Sequence, residues 1–486
     1  MTAQAFSISP CSELFTFQDL GSRKVVADFS GGHLSTDGGL LLLRQLDSSL
    51  GLTRSLASCF KDARDHRFVE HSLPQLIAQR VQGLAAGYED LNDHDTLRRD
   101  PLMALAAGKE DPLGLDRHCQ RDKGNALASD TTLNRLELGN SKQSRAHKIQ
   151  ADHAGIEALL VRKGVGTLDK KTREIVIDLD ATDNPIHGSQ EGRFFHGYYG
   201  NYCYLPLYAF IGEVPVWAEL RTSDQDASKG SLRALQSIVA EVRRRCPRTR
   251  IIVRGDSGFC REELMAWCEA QKALVYYCFG LAGNCRLRKE LDNAFFAAHI
   301  KATLVGGVTR EFREFDYRTL DSWSRTRRVI GKAEVLQDKD NARYIVTNLP
   351  AEGFADEVCG RFQSVALYEN FYCARGNMEN QIKQQLLDLH ADRTSTHFMA
   401  SNQLRLWLST FAYFLLERLR TLALKGTVLE RATAGTIRLR LLKIGALITV
   451  SVRRVYIRLA SGFALADVFK KATQALRNLA LESAPA

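Results

Sequence analysis

Residues 174–182 of the chain are Glu174-Ile-Val-Ile-Asp-Leu-Asp-Ala-Thr182, a short run of β-branched and apolar residues that ends in acids. This composition predicts a buried strand over residues 174–180. Side chains alternate along a strand, so Asp178 and Asp180 lie on one face, whereas Asp183 lies beyond the strand, in the turn before Pro185. Asp180 is the first candidate metal ligand because it is nearest the end of the strand.

The segments that follow this strand predict a mixed sheet. Residues 202–211 and 214–221 have the pattern of a hairpin, and two strands, 250–253 and 274–279, follow with a predicted helix before each, 229–245 and 262–271. In this order, three antiparallel strands precede two parallel ones. We therefore predict an α/β fold with a ribonuclease-H-like mixed five-stranded catalytic core.

A second acidic residue, Asp256, follows the fourth strand directly, in Arg254-Gly-Asp-Ser-Gly-Phe259. A Gly-Asp-Ser-Gly tetrapeptide is also common in plain turns. In the predicted topology, however, the ends of the first and fourth strands are neighbours. Asp180 and Asp256 can therefore share a metal ion.

A third acidic residue, Glu379, lies within a predicted helix over residues 368–390, in the pattern Tyr372-x-x-Arg375-x-x-x-Glu379. At about 100° per residue, these three side chains fall within about 60° of one another. One face of the helix then presents a phenol, a guanidinium and a carboxylate. Glu379 completes the predicted metal site, while Arg375 binds a phosphate with two hydrogen bonds.

Three carboxylates at one place favour chemistry on phosphodiesters. Attack by water or by a 3′-hydroxyl requires charge to be neutralised on the entering and leaving oxygens, which two Mg²⁺ ions about 3.5 to 4 Å apart achieve. Such hard cations prefer carboxylate oxygens. We therefore predict that Asp180, Asp256 and Glu379 are catalytic and hold two Mg²⁺ ions, for which Mn²⁺ can substitute.

The rest of the chain divides by pattern into further regions. Residues 281–346 contain short predicted strands separated by turn residues, at 303–309, 311–317, 328–336 and 343–346, and form a β-rich insertion. This insertion divides the core into residues 170–280 and 347–395. Residues 1–165 are predicted to be a helical N-terminal domain, in which Thr36 and Asp37 cap a helix. Residues 396–486 are predicted to be a basic helical C-terminal region.

Charge is distributed unevenly along the chain. The net charge is +10, and residues 401–486 hold 14 Lys or Arg against 4 acidic residues, so the other residues hold 52 charges of each sign. Clustered cations are typical of surfaces that contact phosphates, although a basic helix face is also often merely solvated. No apolar run is long enough for a membrane span, and residues 1–20 lack a secretory signal. These patterns predict a cytoplasmic protein that is not associated with a membrane.

These residues resemble the DDE transposases of bacterial insertion sequences, in particular the cut-and-paste group with a β-strand insertion between the second Asp and the Glu. The resemblance implies double-stranded DNA as substrate, comprising the terminal inverted repeats of the element and target DNA. It also implies binding of DNA ends by residues 1–165, association with the nucleoid, a homodimer in the synaptic complex, and excision either through DNA hairpins or by another route. The similar blocks are residues 29–33 through 37–39, 88–101, 178–204, 254–259 and 372–383.

The resemblance also implies roles for further residues in DNA binding. Tyr372 and Arg375 belong to the family's helix motif, which continues with a Lys seven residues after the Glu. This chain has Leu386 there, and Lys383, one turn after the Glu, is the candidate substitute. In relatives a Trp of the insertion stacks on an extruded base. Trp323 is the candidate by position, with Arg325 beside it, and a core Trp in a β domain is the alternative.

Two other functions are compatible with parts of the sequence. A haloacid-dehalogenase-like phosphatase would use Asp178 as nucleophile and Asp180 as general acid, with no need for Glu379. That hypothesis requires a parallel doubly wound sheet, whereas the hairpin over 202–221 favours antiparallel pairing, and it leaves the basic C-terminus unexplained. The second alternative is a catalytically inactive DNA-binding descendant of a transposase.

Overall fold

The computed structural model describes residues 13–139, 147–271, 274–337, 339–354 and 360–482. The chain divides into two compact units. The first comprises the described residues of 1–54, 65–134 and 418–486, and the second those of 55–64 and 135–417. The boundaries predicted at 165 and 396 do not coincide with these units.

The strands of the described chain are β1 (Phe15–Leu20), β2 (Arg23–Ala27), β3 (His33–Ser35), β4 (Phe60–Asp62), β5 (Ile149–Ala151), β6 (Glu174–Ala181), β7 (Asn184–Pro185), β8 (Phe194–His196), β9 (Asn201–Tyr204), β10 (Leu207–Ile211), β11 (Val214–Glu219), β12 (Arg250–Gly255), β13 (Val275–Leu281), β14 (Thr309–Tyr317), β15 (Arg327–Val335), β16 (Asp340–Thr347), β17 (Ala446–Ser451) and β18 (Arg454–Leu459).

The α-helices of the described chain are α1 (Leu40–Leu50), α2 (Leu52–Ala57), α3 (Leu73–Ala86), α4 (Asp93–Leu97), α5 (Pro101–Ala106), α6 (Asp130–Glu137), α7 (His153–Val165), α8 (Ser231–Arg245), α9 (Glu262–Glu269), α10 (Cys285–Glu290), α11 (Asp292–Val305), α12 (Ser364–Ala366), α13 (Gly376–Lys383), α14 (Met399–Ala423), α15 (Ala434–Ile437) and α16 (Ala466–Glu482). No helix among the described residues is long and apolar enough to cross a bilayer.

The second unit is built on an eight-stranded sheet with the order β11-β10-β6-β12-β13-β16-β15-β14. β10 pairs antiparallel with both β11 and β6, and β12 pairs parallel with both β6 and β13. The first three strands in sequence are therefore antiparallel, and the last two of the core run parallel to the first. This arrangement confirms the predicted α/β, ribonuclease-H-like five-stranded core.

The strands of the predicted insertion continue the same sheet. β16 pairs antiparallel with β13, and β15 joins β16 to β14. The strand predicted over residues 303–309 is wrong, because residues 303–305 are the last turn of α11 and β14 begins only at Thr309. Its β-branched Thr303 and Val305 favour a strand, but buried Ala294, Phe295 and Ala298 hold the helix on the core, and packing overrides the local preference.

The two faces of the sheet belong to different cores. In β6, Ile175, Ile177 and Leu179 pack in a large cluster with helices such as α8 and α9, whereas Val176 packs against a second cluster. That second cluster contains Leu367, Tyr368 and Phe371, which come from a helical segment over residues 364–388, called here the 364–388 helix. Because side chains alternate, Asp178 and Asp180 lie on the face that this helix covers.

The predicted strand over residues 202–211 is interrupted. β9 ends at Tyr204 and β10 begins at Leu207, with Pro206 between them. Proline has no N–H to donate, and the chain changes sheet at this point. β9 lies in a small sheet of order β7-β9-β8, which begins just after the end of β6.

The first unit joins both ends of the described chain. β3 pairs with β17, which pairs with β18 in a hairpin, so the helices predicted from Gln403 onward miss two strands. Asp37 does not cap α1, whose N-cap is Gly39. Instead, the Asp37 carboxylate binds Lys443 Nζ at 2.6 Å and accepts a hydrogen bond from the Tyr88 hydroxyl at 2.7 Å. Pairings between residues some 400 positions apart leave no local signal in the sequence.

Candidate active site

Three neighbouring strands bring their last residues to one edge of the sheet. On the face covered by the 364–388 helix, β6 ends with Asp180, Asp256 directly follows β12, and β13 carries Gly280. In each strand the residues two positions earlier lie on that same face. The site is therefore formed where the ends of the parallel strands meet.

Asp178 is paired with an arginine in the interior of the sheet. It is buried, and both its oxygens accept hydrogen bonds from Arg254, which lies opposite it on β12, at 2.5 and 2.8 Å. Arg254 also donates to the carbonyl oxygen of Phe371. Burial raises the pKa of Asp178, and the ion pair with Arg254 opposes that rise. A carboxylate held in this way is not placed as a nucleophile.

Asp180 lies beside a cation and two further acids. Arg375 Nη1 is 3.4 Å from Asp180 Oδ2, and Arg375 Nη2 is 3.4 Å from Glu379 Oε1. Burial raises the pKa of Asp180 to about 7; Arg375 lowers it, whereas the charges of Asp256 and Glu379 raise it further. The structure therefore brings Asp256 and Glu379 within electrostatic reach of Asp180, with Arg375 between Asp180 and Glu379.

Asp256 is oriented by the turn that follows it. Its Oδ1 accepts a hydrogen bond from the backbone N–H of Gly258 at 2.8 Å, which caps a short 3₁₀ turn over Ser257–Phe259. Gly280, on the neighbouring strand, leaves room for this turn. A Cβ at Gly280 would lie 2.5 Å from the Tyr372 hydroxyl and 2.8 Å from Ser257 N. A side chain there is therefore incompatible with the observed geometry.

The 364–388 helix is irregular where it meets the site. π-helical turns occur at Leu367–Tyr372 and Gln384–Asp388, with a 3₁₀ turn at Cys373–Arg375 between the first of them and α13. Buried Leu367, Tyr368 and Phe371 anchor its beginning. π-Helical turns are rare and are frequent at functional sites. Here the irregular turns set the positions of Tyr372, Arg375 and Glu379.

Carboxylate oxygens such as those of Asp180, Asp256 and Glu379 suit a hard cation. Within the described residues, no group of three or more His, Cys, Asp or Glu side chains is close enough to hold a metal ion. Glu379 is largely exposed and contacts Arg375 instead. Repulsion between Asp180 and the other acids is nevertheless the feature that a divalent cation would relieve.

The remaining predicted DNA-binding residues are Trp323, Arg325 and Lys383. Trp323 is 4% exposed and packs edge-on against Tyr317 in the hydrophobic core, with the guanidinium of Arg327 over its ring at 5.3 Å. This is the core role that the sequence left as an alternative. Arg325 lies 3.3 Å from Glu269. Lys383 is exposed on α13, one turn beyond Glu379.

Sequence reasoning missed two residues of the site. Arg254 was noted only as part of a block, yet it holds Asp178 away from the reaction. Gly280 was not noted at all. Alternation along β12 and β13 was the available signal, because it places Arg254 and Gly280 on the face of Asp180 once the strand order is known.

Comparison with known proteins identifies the family. The sequence matches the model of the family described as transposase DDE domain, group 1, over residues 17–481. None of the curated proteins matches. Among solved structures, the cryo-EM structure of a piggyBac transposase synaptic complex with hairpin DNA matches with a TM-score of 0.39 and 9% identity, over 93% of this chain and 86% of that one; a likeness that weak supports no inference. Because the family model covers nearly the whole chain, the protein belongs to the DDE transposases of group 1.

Proposed function

We propose that this transposase cuts DNA at the ends of its own insertion sequence and joins them to target DNA, using divalent metal ions held by Asp180, Asp256 and Glu379. The observation that carries the proposal is the convergence of three acids at the ends of β6 and β12 and on the 364–388 helix. Burial raises the pKa of Asp180 to about 7 there, and the charges of Asp256 and Glu379 raise it as well. Asp178 differs from these acids, because Arg254 binds both of its oxygens at 2.5 and 2.8 Å, whereas Arg375 approaches Asp180 and Glu379 only to 3.4 Å.

The residues of the chain have distinct tasks in this proposal. The three carboxylates hold Mg²⁺, or Mn²⁺ in its place, and the bound ions would neutralise charge on the attacking and leaving oxygens. Arg375 lies between Asp180 and Glu379. With metal ions held by these carboxylates, its guanidinium would be free to donate two hydrogen bonds to a phosphate of the DNA. The Tyr372 hydroxyl packs over Gly280, and this contact sets the distance between the 364–388 helix and the ends of the strands.

The two alternative functions are not proposed. A phosphatase of the haloacid-dehalogenase type needs Asp178 free as nucleophile, but both of its oxygens are engaged by Arg254. It also needs a parallel sheet, whereas β10 and β11 are antiparallel to their neighbours. An inactive DNA-binding descendant would bind DNA ends without cutting them, so a cleavage assay distinguishes it from an active transposase.

A β-hairpin in the first unit supports DNA as the partner. Residues 431–466 contain no Asp or Glu and seven cations, which are Arg431, Arg438, Arg440, Lys443, Arg453, Arg454 and Arg458. The last three lie in or next to the β17–β18 hairpin. Its inner face, with Ala446 and Ile448, packs against Leu102.

The outer face of the same hairpin is polar and basic. Arg454 donates to the Tyr456 hydroxyl at 3.0 Å, and Arg458 donates to Thr449 Oγ1 at 3.1 Å. Both guanidinium groups are exposed. β3 pairs only with the first three residues of β17, so the distal half of the hairpin is a two-stranded ribbon. A ribbon of this kind fits the major groove of DNA, and its arginines suit phosphates.

The family resemblance supports the remaining parts of the proposal. We propose that the substrate ends are the terminal inverted repeats of the element and that the protein acts as a homodimer in a synaptic complex. We propose that it does so in the bacterial cytoplasm, at the nucleoid.

The test is cleavage of DNA that carries the flanks of the gene, in Mg²⁺ and in chelator. Wild type is compared with Asp180→Ala, Asp256→Ala and Glu379→Ala, and with Arg244→Ala as a control on an exposed arginine of the same unit. Cleavage and strand transfer should require Mg²⁺ and fail in the three acid variants while DNA binding persists. Cleavage that survives in those variants, or a wild type that binds the ends without cutting them, would contradict the proposal.

A further inference from the structure

An aromatic hairpin lies next to the acids of the proposed active site. Residues 193–202 are Arg193-Phe-Phe-His-Gly-Tyr-Tyr-Gly-Asn-Tyr202, which include five Phe or Tyr. β8 and β9 form the two strands of the hairpin, with Phe195 opposite Tyr202. We call residues 193–202 the aromatic hairpin.

The aromatic hairpin is attached directly behind the first catalytic strand. β9 pairs with β7, which begins three residues after β6 ends. Asn201 Nδ2 donates to Asp183 Oδ2 at 3.2 Å, and Ser223 Oγ donates to the carbonyl oxygen of Phe194 at 3.0 Å. These bonds hold the hairpin at the edge of the sheet where Asp180 lies.

The tip of the hairpin lies on the side of the acids. Asn201, in β9, is bonded to Asp183, which lies three residues after Asp180. Burial raises the pKa of Tyr199 to about 12, and the charges of Asp183, Asp180 and Asp256 raise it too, in agreement with that placement. Tyr199 packs edge-on against Tyr198, with ring centroids 5.0 Å apart.

Most rings of the hairpin are exposed. Tyr198 is 86% exposed and Phe195 is 57% exposed, and neither is part of a hydrophobic core cluster. Contiguous exposed aromatic rings are typical of binding surfaces. Arg193 adds a positive charge to this surface, and its guanidinium lies over the Tyr202 ring, 3.8 Å from the ring centroid. The surface is therefore aromatic and cationic, which suits nucleobases and phosphates together.

We propose that Phe195 and Tyr198 stack on unpaired bases of the DNA strand whose phosphodiester lies at Asp180 and Asp256. This inference rests on the proposed function and adds a subsite to it. In duplex DNA the faces of the bases are covered by their neighbours, and only the edges are offered in the grooves. Ring faces therefore select a base that has left the stack. The structure assigns this role to the hairpin and not to Trp323, whose ring is buried.

The test is binding of the full-length protein to a single-stranded oligonucleotide that carries 2-aminopurine, whose fluorescence is quenched by stacking. Tyr198→Ala and Phe195→Ala should each weaken binding about 5- to 150-fold, the range for one base–aromatic stack, and should lose the quenching. Tyr198→Phe keeps the ring and should behave as wild type. Phe296→Ala is the control, because Phe296 is 70% exposed on α11 in the same unit.

Three results would overturn the inference. In the first, Tyr198→Ala and Phe195→Ala bind and quench as wild type does. In the second, Phe296→Ala loses as much binding as they do. In the third, Tyr198→Ala or Phe195→Ala changes the oligomeric state and leaves single-strand binding intact. The last result would mean that the rings contact a second copy of the chain. Mg²⁺-dependent DNA cleavage by wild type and by Asp180→Ala is measured in parallel. If the proposed function itself is wrong, wild type will be inactive or Asp180→Ala will be active. If only the stacking inference is wrong, wild type will cut DNA and Asp180→Ala will not.

Discussion

Replacing Asp180 by Asn should stabilise the protein in the absence of metal ions. The pKa of Asp180 in the folded chain is about 7, above its usual value of 3.8, because burial and two neighbouring acids disfavour the charged form. Between about pH 4 and pH 7 the folded state therefore binds more protons than the unfolded state, and stability falls as the pH rises through that range. Above it the penalty is complete.

The rise from 3.8 to about 7 corresponds to about 4 kcal/mol, an upper bound for this one carboxylate. Asn is neutral at every pH and has nearly the same shape. In chelator at about pH 8, Asp180→Asn should therefore melt several degrees above wild type, and at about pH 5 most of the difference should be gone. Adding Mg²⁺ should raise the melting temperature of wild type and leave Asp180→Asn unchanged.

Asp178→Asn is the matched control, two residues away on the same face of β6. This change leaves Arg254 buried without its carboxylate and should cost about 3 to 5 kcal/mol, opposite in sign to Asp180→Asn. Thermal unfolding followed by fluorescence measures both. If Asp180→Asn melts at or below wild type in chelator at about pH 8, or if both variants destabilise equally, the assignment of one aspartate to metal and the other to structure is refuted.

Three further predictions concern residues outside the carboxylates. Gly280→Ala should slow DNA cleavage at least about tenfold, because the added Cβ displaces Tyr372 of the 364–388 helix. Gly376→Ala is the control: its Cβ meets open space, so cleavage should be kept and stability should rise by up to about 1 kcal/mol. Equal cleavage rates for the two variants would contradict this prediction. Trp323→Ala should lower stability by about 3 to 5 kcal/mol in thermal unfolding, and unchanged melting with lost DNA binding would restore its stacking role. The double variant Arg454→Ala, Arg458→Ala should lower the slope of log Kd for duplex DNA against log salt concentration by about 2, because each arginine is expected to contact one phosphate. An unchanged slope would show that the β17–β18 hairpin does not contact DNA phosphates.

Strand order and strand faces followed from the sequence because both depend on local patterns. Alternation in residues 174–180 placed Asp178 and Asp180 on one face, and the sequence of strands and helices specified the core topology. The choice of Asp180 as metal ligand rested on its distance from the strand end, and it stays a prediction. The partner of Asp178, however, lies on β12, and its register became visible only in the folded sheet.

The features that were missed depend on tertiary contacts. α11 forms despite its β-branched residues because Ala294, Phe295 and Ala298 are buried on the sheet. Trp323 has no sequence feature that separates a core residue from a stacking one. β3 and β17 pair across most of the length of the chain, so neither terminal region alone shows the hairpin that carries Arg454 and Arg458.

The central claim concerns where metal ions bind, and anomalous diffraction from crystals of the full chain with Mn²⁺ and a DNA end tests it most directly. We expect manganese at the carboxylates of Asp180 and Asp256, with Glu379 completing the site and Arg375 moved to a phosphate. Manganese at Asp178 or Asp183, or none at Asp180 and Asp256, would contradict the account.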